Sequence, residues 1–314
     1  MGGRRLFFAI AIVLATAGAF AMLALQIGHG AMAAATSPNW TLLAAAFAVS
    51  AGVQPLRALA WRTTLREQRP GFRAIYAASA VGSFLDTVLP ARLGEASKVG
   101  VLRVAAGARW PGFARAGGSL VCAHLLEAIA FALVGAASAF FLPFPNWARG
   151  TLVGGLGLAG GGMLLAAVLH SRIGRFLPRA VDTFLAGAAA PPRVLARAGG
   201  TLLFTWLARW GAIMLLLHAI GVHASVGTAL LYMIVTGLAN TAPLLPGNAG
   251  VYQGAAVGAL ALVGHVGAKA VAVGLVAPVL ASVATAAAAL VGIALYGRRF
   301  AIIPRAALVR SRPG

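Results

Sequence analysis

Long apolar stretches alternate with short polar or basic stretches along almost the whole chain. Six of them reach about 20 residues, the length that a transmembrane helix needs to cross a bilayer. We predict full membrane spans over residues 6–27, 40–61, 118–141, 151–170, 200–220 and 270–296. The first span follows Arg4 and Arg5, as in a twin-arginine signal peptide, but its length favours a retained helix.

Two further apolar stretches, 72–89 and 226–245, differ because each runs into a proline and a glycine and then continues as a shorter stretch. Non-helical backbone at membrane depth is stable only where protein or a wet cavity surrounds it. We interpret both stretches as re-entrant hairpins, which enter the membrane and return to their own side. The predicted fold is an all-α polytopic membrane protein with six full transmembrane helices, two re-entrant helical hairpins and about eight hydrophobic segments.

The composition supports a membrane protein, with 61% hydrophobic residues, 10% charged residues and a mean hydropathy of +0.91. A soluble domain carries about 25% charged residues, so lipid must be the solvent for most of this surface. The formal net charge of +20 does not indicate nucleic-acid binding, because the basic residues lie between apolar stretches and form no soluble basic face. The single cysteine, Cys122, excludes an internal disulfide.

The basic residues also predict the orientation in the membrane. In this layout nineteen of the 25 lysines and arginines fall on one side, only Arg149 and Lys269 fall on the other, and four lie at membrane depth. By the positive-inside rule both termini are cytoplasmic (N-in/C-in). The basic loop 171–197 and the short basic tail 297–314 are then cytoplasmic as well.

The two predicted hairpins resemble each other. "YAASAVGSFLDTVLPARLG" at 76–94 and "YMIVTGLANTAPLLPGNAG" at 232–250 share tyrosine, leucine-proline and glycine at a constant offset of 156 residues. Three full spans separate them, and an odd number of crossings reverses direction. We predict one transmembrane domain, 1–314, with an inverted-topology internal repeat whose halves cover about 40–142 and about 199–296.

Seven charged residues lie at membrane depth in this layout, and a lone charge at the bilayer centre costs about 3 kcal/mol. They must pair, hydrate or lie near an interface; they are Arg57, Asp86, Arg92, Glu95, Lys98, Glu127 and Arg209. Arg57 is close enough to its helix end to snorkel to the interface. Arg209 has two open interpretations, stacking on Trp206 or Trp210 and binding an anionic ligand.

The first predicted hairpin contains residues that can bind a phosphate group. Arg92 and Glu95 are one helical turn apart and share a face, while Lys98 points elsewhere. Pro90 breaks the preceding turn, Gly94 permits close approach of a backbone or head group, and a guanidinium binds phosphate through two parallel hydrogen bonds. The alternative is an Arg92–Glu95 ion pair that only holds the hairpin tip. The second hairpin is shaped by Pro246, Gly247 and Gly250.

Glu127 lies about a third of the way into its span, and we expect it to pair with Arg92 or Arg209. His124, one turn earlier, either shares a proton with Glu127 or is simply packed. The six histidines have no metal-ligand spacing and no catalytic motif is present. We therefore expect no metal, no cofactor and no enzyme activity.

Three ordered motifs resemble those of the lysylphosphatidylglycerol-synthase transmembrane-region family, also called flippase-like proteins. They are "LPARLGE" at 89–95 with Lys98 and Arg103 after it, "HLLEAIAF" at 124–131, and "LLPGNAGVYQGA" at 244–255. The resemblance covers about 40–296. The chain departs from the family in having Gln253 where a glutamate is usual, His124 where arginine is common, and Glu127 where aspartate is common.

The resemblance implies movement or handling of a lipid with an anionic or polar head group in a bacterial inner membrane. It implies no aminoacylation, because the chain contains no stretch that predicts a soluble transferase domain. We predict that the head-group site comprises Asp86, Arg92, Glu95, Lys98, Glu127, Arg209 and Gln253. Membrane lipids are the expected partners. The alternatives are a non-transporting partner or scaffold for a separate lipid-modifying enzyme, and an integral-membrane lipid transferase.

Overall fold

A computed structural model describes residues 38–66, 70–88, 93–139, 146–240 and 250–300. Most of these residues are helical, and none of them is in a strand. Ten α-helices follow one another: α1 Trp40–Thr64, α2 Phe72–Val88, α3 Leu93–Ala106, α4 Phe113–Ala139, α5 Asn146–Ile173, α6 Arg179–Ala188, α7 Pro192–Ala219, α8 Val226–Ala239, α9 Val251–Ala261 and α10 Ala268–Phe300. The predicted first span, 6–27, lies outside the described residues.

Five helices are long and apolar enough to cross a membrane, namely α1, α4, α5, α7 and α10. They coincide with five of the six spans that the hydrophobic pattern predicts. Their outer faces carry large apolar side chains, and Leu158 and Leu290 are 81% and 67% exposed. Exposed apolar surface of this extent fits contact with lipid chains and does not fit contact with water.

The first predicted hairpin consists of α2 and α3, which run antiparallel on either side of 89–92. Gly82 on α2 lies against Gly94 and Lys98 on α3, and Asp86 lies against Gly94 and Glu95. A side chain at Gly94 would overlap the backbone nitrogen of Asp86. Glycine is required there because only a residue without Cβ lets the two backbones approach so closely.

The second predicted hairpin corresponds to α8 and α9, on either side of 241–249. The hydroxyls of Tyr232 on α8 and Tyr252 on α9 lie 3.4 Å apart. Both helices are apolar and too short to cross a membrane as single spans. Gly250 precedes α9 with a φ of 82°, a left-handed conformation that favours glycine.

The long helices pack around both pairs of short helices. Trp61 on α1 donates from Nε1 to Ser119 Oγ on α4 at 3.1 Å, and both residues are buried. Tyr76 on α2 donates from its hydroxyl to the Ala288 carbonyl on α10 at 3.3 Å. A Cβ at Gly292 would lie 3.0 Å from Ala77 Cα, so α2 and α10 are in close backbone contact.

The segment 171–197, predicted as a loop, contains the ten-residue helix α6. Gly118 on α4 lies against the Phe184 carbonyl, and a Cβ at Gly187 would lie 2.9 Å from the Arg115 carbonyl. His170 Nδ1 lies 2.8 Å from Asp182 Oδ1 and ties α6 to the end of α5. Small residues at this crossing allow α6 to pack directly on α4.

The order long, short, short, long occurs twice, in α1 to α4 and again in α7 to α10. Moving the bounds of α1 forward by the 156-residue offset gives 196–220, against Pro192–Ala219 for α7. The same offset moves α4 to 269–295, against Ala268–Phe300 for α10. The spacing of the helices therefore follows the offset of the sequence motifs.

Candidate functional site

A buried ion pair joins α1 to α4. Arg57 Nη2 donates a hydrogen bond to Glu127 Oε2 at 2.8 Å, and the two side chains are only 18% and 15% exposed. The prediction that Arg57 snorkels was therefore wrong. The observed partner of Glu127 is Arg57, whereas the sequence analysis named Arg92 or Arg209. Arg57 lies on the side of α1 that faces α4, and the contact removes the cost of two unpaired charges in an apolar surrounding.

A second ion pair lies within α3. Lys98 Nζ lies 2.5 Å from Glu95 Oε1, and the lysine side chain is 3% exposed. The prediction that Lys98 points away from Glu95 was wrong, because residues three apart on a helix are neighbours and the lysine stem is flexible. Gly82 on α2 leaves the space that the Lys98 stem occupies.

Asp86 fixes the start of α3. Its Oδ1 accepts a hydrogen bond from the Glu95 backbone N–H at 3.0 Å. The first backbone N–H groups of a helix have no intrahelical acceptor, and a carboxylate there also complements the helix dipole. Asp86 therefore stabilises the junction of α2 and α3, and any head-group contact would be additional.

His124 on α4 contacts the same junction. Its Nε2 lies 2.8 Å from Glu95 Oε2, while its Nδ1 lies 2.8 Å from the Leu120 carbonyl oxygen. Because a carbonyl can only accept, Nδ1 carries a hydrogen. The Glu95 contact is close but forms no aligned hydrogen bond. The two interpretations for His124 were a shared proton with Glu127 or simple packing, and its observed partner is Glu95.

Several predicted site residues lie outside the described residues: Pro90, Arg92, Pro246 and Gly247. Gln253 is described, and its Oε1 accepts the Gly250 backbone N–H at 2.6 Å. Gln253 thus caps its own helix, α9. Its role in lipid binding stays a prediction.

A cavity of about 270 Å³ lies among α1, α7, α8, α9 and α10. Its polar lining includes Gln54, Arg209, Thr236, Asn240, Tyr252 and Thr285, and most of the remaining lining is apolar. No acidic residue of the described part of the chain lines it. Asn240 and Ala281 are exposed at its edge, so the cavity is open on that side.

Arg209 is the charged group of this cavity. Its guanidinium carbon lies 4.8 Å from the centre of the Trp206 ring, so the stacking interpretation is confirmed for Trp206. Within the described residues no carboxylate forms an ion pair with Arg209. Among the described residues the cation therefore meets an aromatic face but forms no direct ion pair, and the ligand-binding interpretation stays open.

Gln54 was missed by the sequence analysis. Only 5% of the residue is exposed, and its Oε1 has no hydrogen-bond partner. A glutamine inside an otherwise apolar span was the available signal, because polar groups at membrane depth mark functional sites. Gln54 and Arg209 come from α1 and α7 and line the same cavity.

The cavity adjoins the ion pair between α1 and α4. Trp206, which stacks on Arg209, donates from Nε1 to the Glu127 backbone carbonyl at 3.2 Å. Phe131 on α4 also packs against the Trp206 ring, with the ring centres 4.6 Å apart. The Trp206 side chain, on which Arg209 stacks, is therefore held in place by α4.

The model of one protein family, described as the lysylphosphatidylglycerol synthase TM region, matches residues 6–289. That match covers all five candidate spans apart from the end of α10, together with both pairs of short helices. No curated protein and no solved structure matches the chain.

Proposed function

This chain belongs to the family of the lysylphosphatidylglycerol synthase TM region, and we propose on that premise that it is a lipid flippase or transporter. It is a multi-pass membrane protein, and the proposed place is a bacterial inner membrane with both termini in the cytoplasm. The observation that carries the proposal is Arg209, which lines an open cavity among five helices and has no carboxylate partner among the described residues.

A lipid head group crosses a bilayer slowly because its polar and charged atoms must leave water. An unpaired charge at the bilayer centre costs about 3 kcal/mol on insertion scales. Arg209 faces the same cost. When its guanidinium pairs with an anionic head group in this cavity, the attraction between the two charges offsets the cost of removing each from water. The acyl chains remain in the surrounding lipid while the head group passes.

The two pairs of short helices supply the surrounding protein. In this proposal α2 with α3, and α8 with α9, are re-entrant hairpins that enter from opposite sides as an inverted repeat. The second hairpin borders the cavity through Thr236 and Tyr252. The first is held together by Asp86, Glu95 and Lys98, and none of the described carboxylates forms an ion pair with Arg209.

Head-group translocation in proteoliposomes tests the proposal. Lipids labelled on an acyl chain are incorporated, and an impermeant reductant removes the label from the outer leaflet only. The wild-type protein is compared with protein-free vesicles and with an unrelated helical membrane protein at equal density. We expect faster crossing with wild type, a loss in Arg209→Gln, and no change in Arg197→Gln, which alters an exposed arginine of the same helix.

Crossing at the rate of the unrelated membrane protein, for every lipid tested, would contradict the proposal. The alternative function, a non-transporting partner or scaffold for a separate lipid-modifying enzyme, would then be favoured. A loss of crossing in both arginine variants would show that Arg209 has no special part in transport.

A further inference from the structure

We infer that the cavity around Arg209 selects anionic head groups that also carry a hydroxyl, and that it discriminates against head groups that carry an ammonium group. This inference deepens the proposed function and rests on it. It narrows the substrate class within that function, because a family membership alone does not say which head-group charge this chain accepts.

The charge of the lining supports the first half of the inference. Arg209 is the one charged residue among those described around the cavity, and no described carboxylate is present to bind an ammonium group. A guanidinium binds phosphate through paired, charge-assisted hydrogen bonds. An aminoacylated head group brings a second cation toward Arg209, and like charges in one low-dielectric cavity repel each other.

The carboxylates of Glu127 and Glu95 do not reverse this preference. Glu127 is bonded to Arg57 at 2.8 Å, and Glu95 is bonded to Lys98 at 2.5 Å. Each is matched by a cation from within the protein and neither lines the cavity. An ammonium group in the cavity therefore meets no carboxylate among the described residues of the lining.

Gln54 supports the second half of the inference. Its Oε1 is a buried acceptor without a partner, and leaving such a group unsatisfied is costly. A hydroxyl of the head group can donate to this oxygen. Since Gln54 and Arg209 line one cavity, a phosphate on Arg209 and a hydroxyl on Gln54 would belong to the same head group.

The size of the cavity fits a head group and excludes a whole lipid. Pockets for drug-sized ligands have volumes of about 300–1,000 Å³, and this one holds about 270 Å³. The acyl chains must therefore lie outside. The open edge at Ala281 adjoins Val283, which is 40% exposed on the apolar surface of α10.

Four lipids with the same acyl chains separate the possibilities: phosphatidylglycerol, phosphatidylmethanol, phosphatidylcholine and lysyl-phosphatidylglycerol. They differ in net charge and in the presence of a head-group hydroxyl. Binding to the full chain is measured by native mass spectrometry, and crossing is measured in proteoliposomes. We expect phosphatidylglycerol to bind at least about tenfold more tightly than phosphatidylcholine or lysyl-phosphatidylglycerol, because Arg209 repels the ammonium group that those two lipids carry.

Three variants test which residue gives the preference for an anionic head group and which gives the preference for a hydroxyl. Arg209→Gln should abolish the preference for anionic lipids, whereas Arg209→Lys should keep it with weaker binding because the paired geometry is lost. Gln54→Leu should remove the advantage of phosphatidylglycerol over phosphatidylmethanol and leave the charge preference intact. Arg197→Gln is the control on the same helix and should match wild type in both measurements.

The two measurements separate failure of the inference from failure of the proposed function. Crossing of all four lipids at one rate, or equal binding of lysyl-phosphatidylglycerol, overturns the inference and leaves transport standing. Selective binding without any crossing supports the inference and contradicts the proposed function. An unchanged preference in Arg209→Gln overturns the inference whichever lipid crosses.

Discussion

Arg57 on α1 and Glu127 on α4 are 70 residues apart in the chain, and their side chains meet at 2.8 Å in the interior of the helix bundle. This contact neutralises two of the charges that the hydrophobic pattern places at membrane depth. It also lies beside the cavity, because the Glu127 backbone carbonyl accepts the hydrogen bond from Trp206. The ion pair therefore lies behind Trp206, the side chain on which Arg209 stacks.

Breaking this ion pair should destabilise the protein strongly. Arg57→Ala leaves the Glu127 carboxylate buried without a partner, and loss of one member of a buried pair costs about 3–5 kcal/mol. The double variant Arg57→Met with Glu127→Met should recover most of that loss, because it removes both charges. Unfolding in detergent, followed by circular dichroism, measures the free energies; a stable Arg57→Ala protein would contradict the assignment.

Because α2 and α3 are in close backbone contact, alanine substitution at two glycines of α3 should have different effects on thermal stability. Gly94→Ala places a Cβ against the backbone of Asp86, so the helices must separate and the protein should unfold at lower temperature. Gly100 has open space beside it, and alanine there should be neutral or stabilising by up to about 1 kcal/mol. Thermal unfolding of both variants checks this, and equal melting temperatures would contradict the observed packing.

The predicted orientation can be tested on a single helix. Arg149 and Arg172 lie near opposite ends of α5, and both are exposed. In a Cys122→Ala background, single cysteines at these two positions are treated with an impermeant thiol reagent outside intact cells. We expect labelling at 149 and none at 172, since the positive-inside rule predicts that Arg172 is on the cytoplasmic side. The reverse pattern would invert the assigned topology.

The spans and the broken stretches could be predicted because lipid imposes length and apolarity on each helix separately. α1 and α5 extend beyond the ends of the predicted spans, and α4, α5 and α7 begin before the predicted starts, because the flanking residues continue the helix. The need for glycine at position 94 was also visible, since it follows a proline in a charged stretch.

Charge partners could not be predicted in the same way. Which face of α1 meets α4 depends on how distant helices rotate against each other, and the sequence pattern around Arg57 gave no sign of it. Lys98 was placed on the wrong side because an ideal helical wheel ignores the bend of a long side chain. The cavity itself, with Gln54 from α1 and Arg209 from α7, exists only once these helices pack.

Passage of the head group through the cavity is the central claim, and a blocked cavity tests it most directly. Ala281 lies at the open edge of the cavity on α10, whereas Ala294 is exposed on the same helix away from it. Translocation of phosphatidylglycerol is measured in proteoliposomes for wild type, Ala281→Trp and Ala294→Trp at equal amounts of folded protein. We predict that Ala281→Trp alone falls to the rate of an unrelated membrane protein. Crossing at the wild-type rate in Ala281→Trp would contradict the claim that lipids use this cavity.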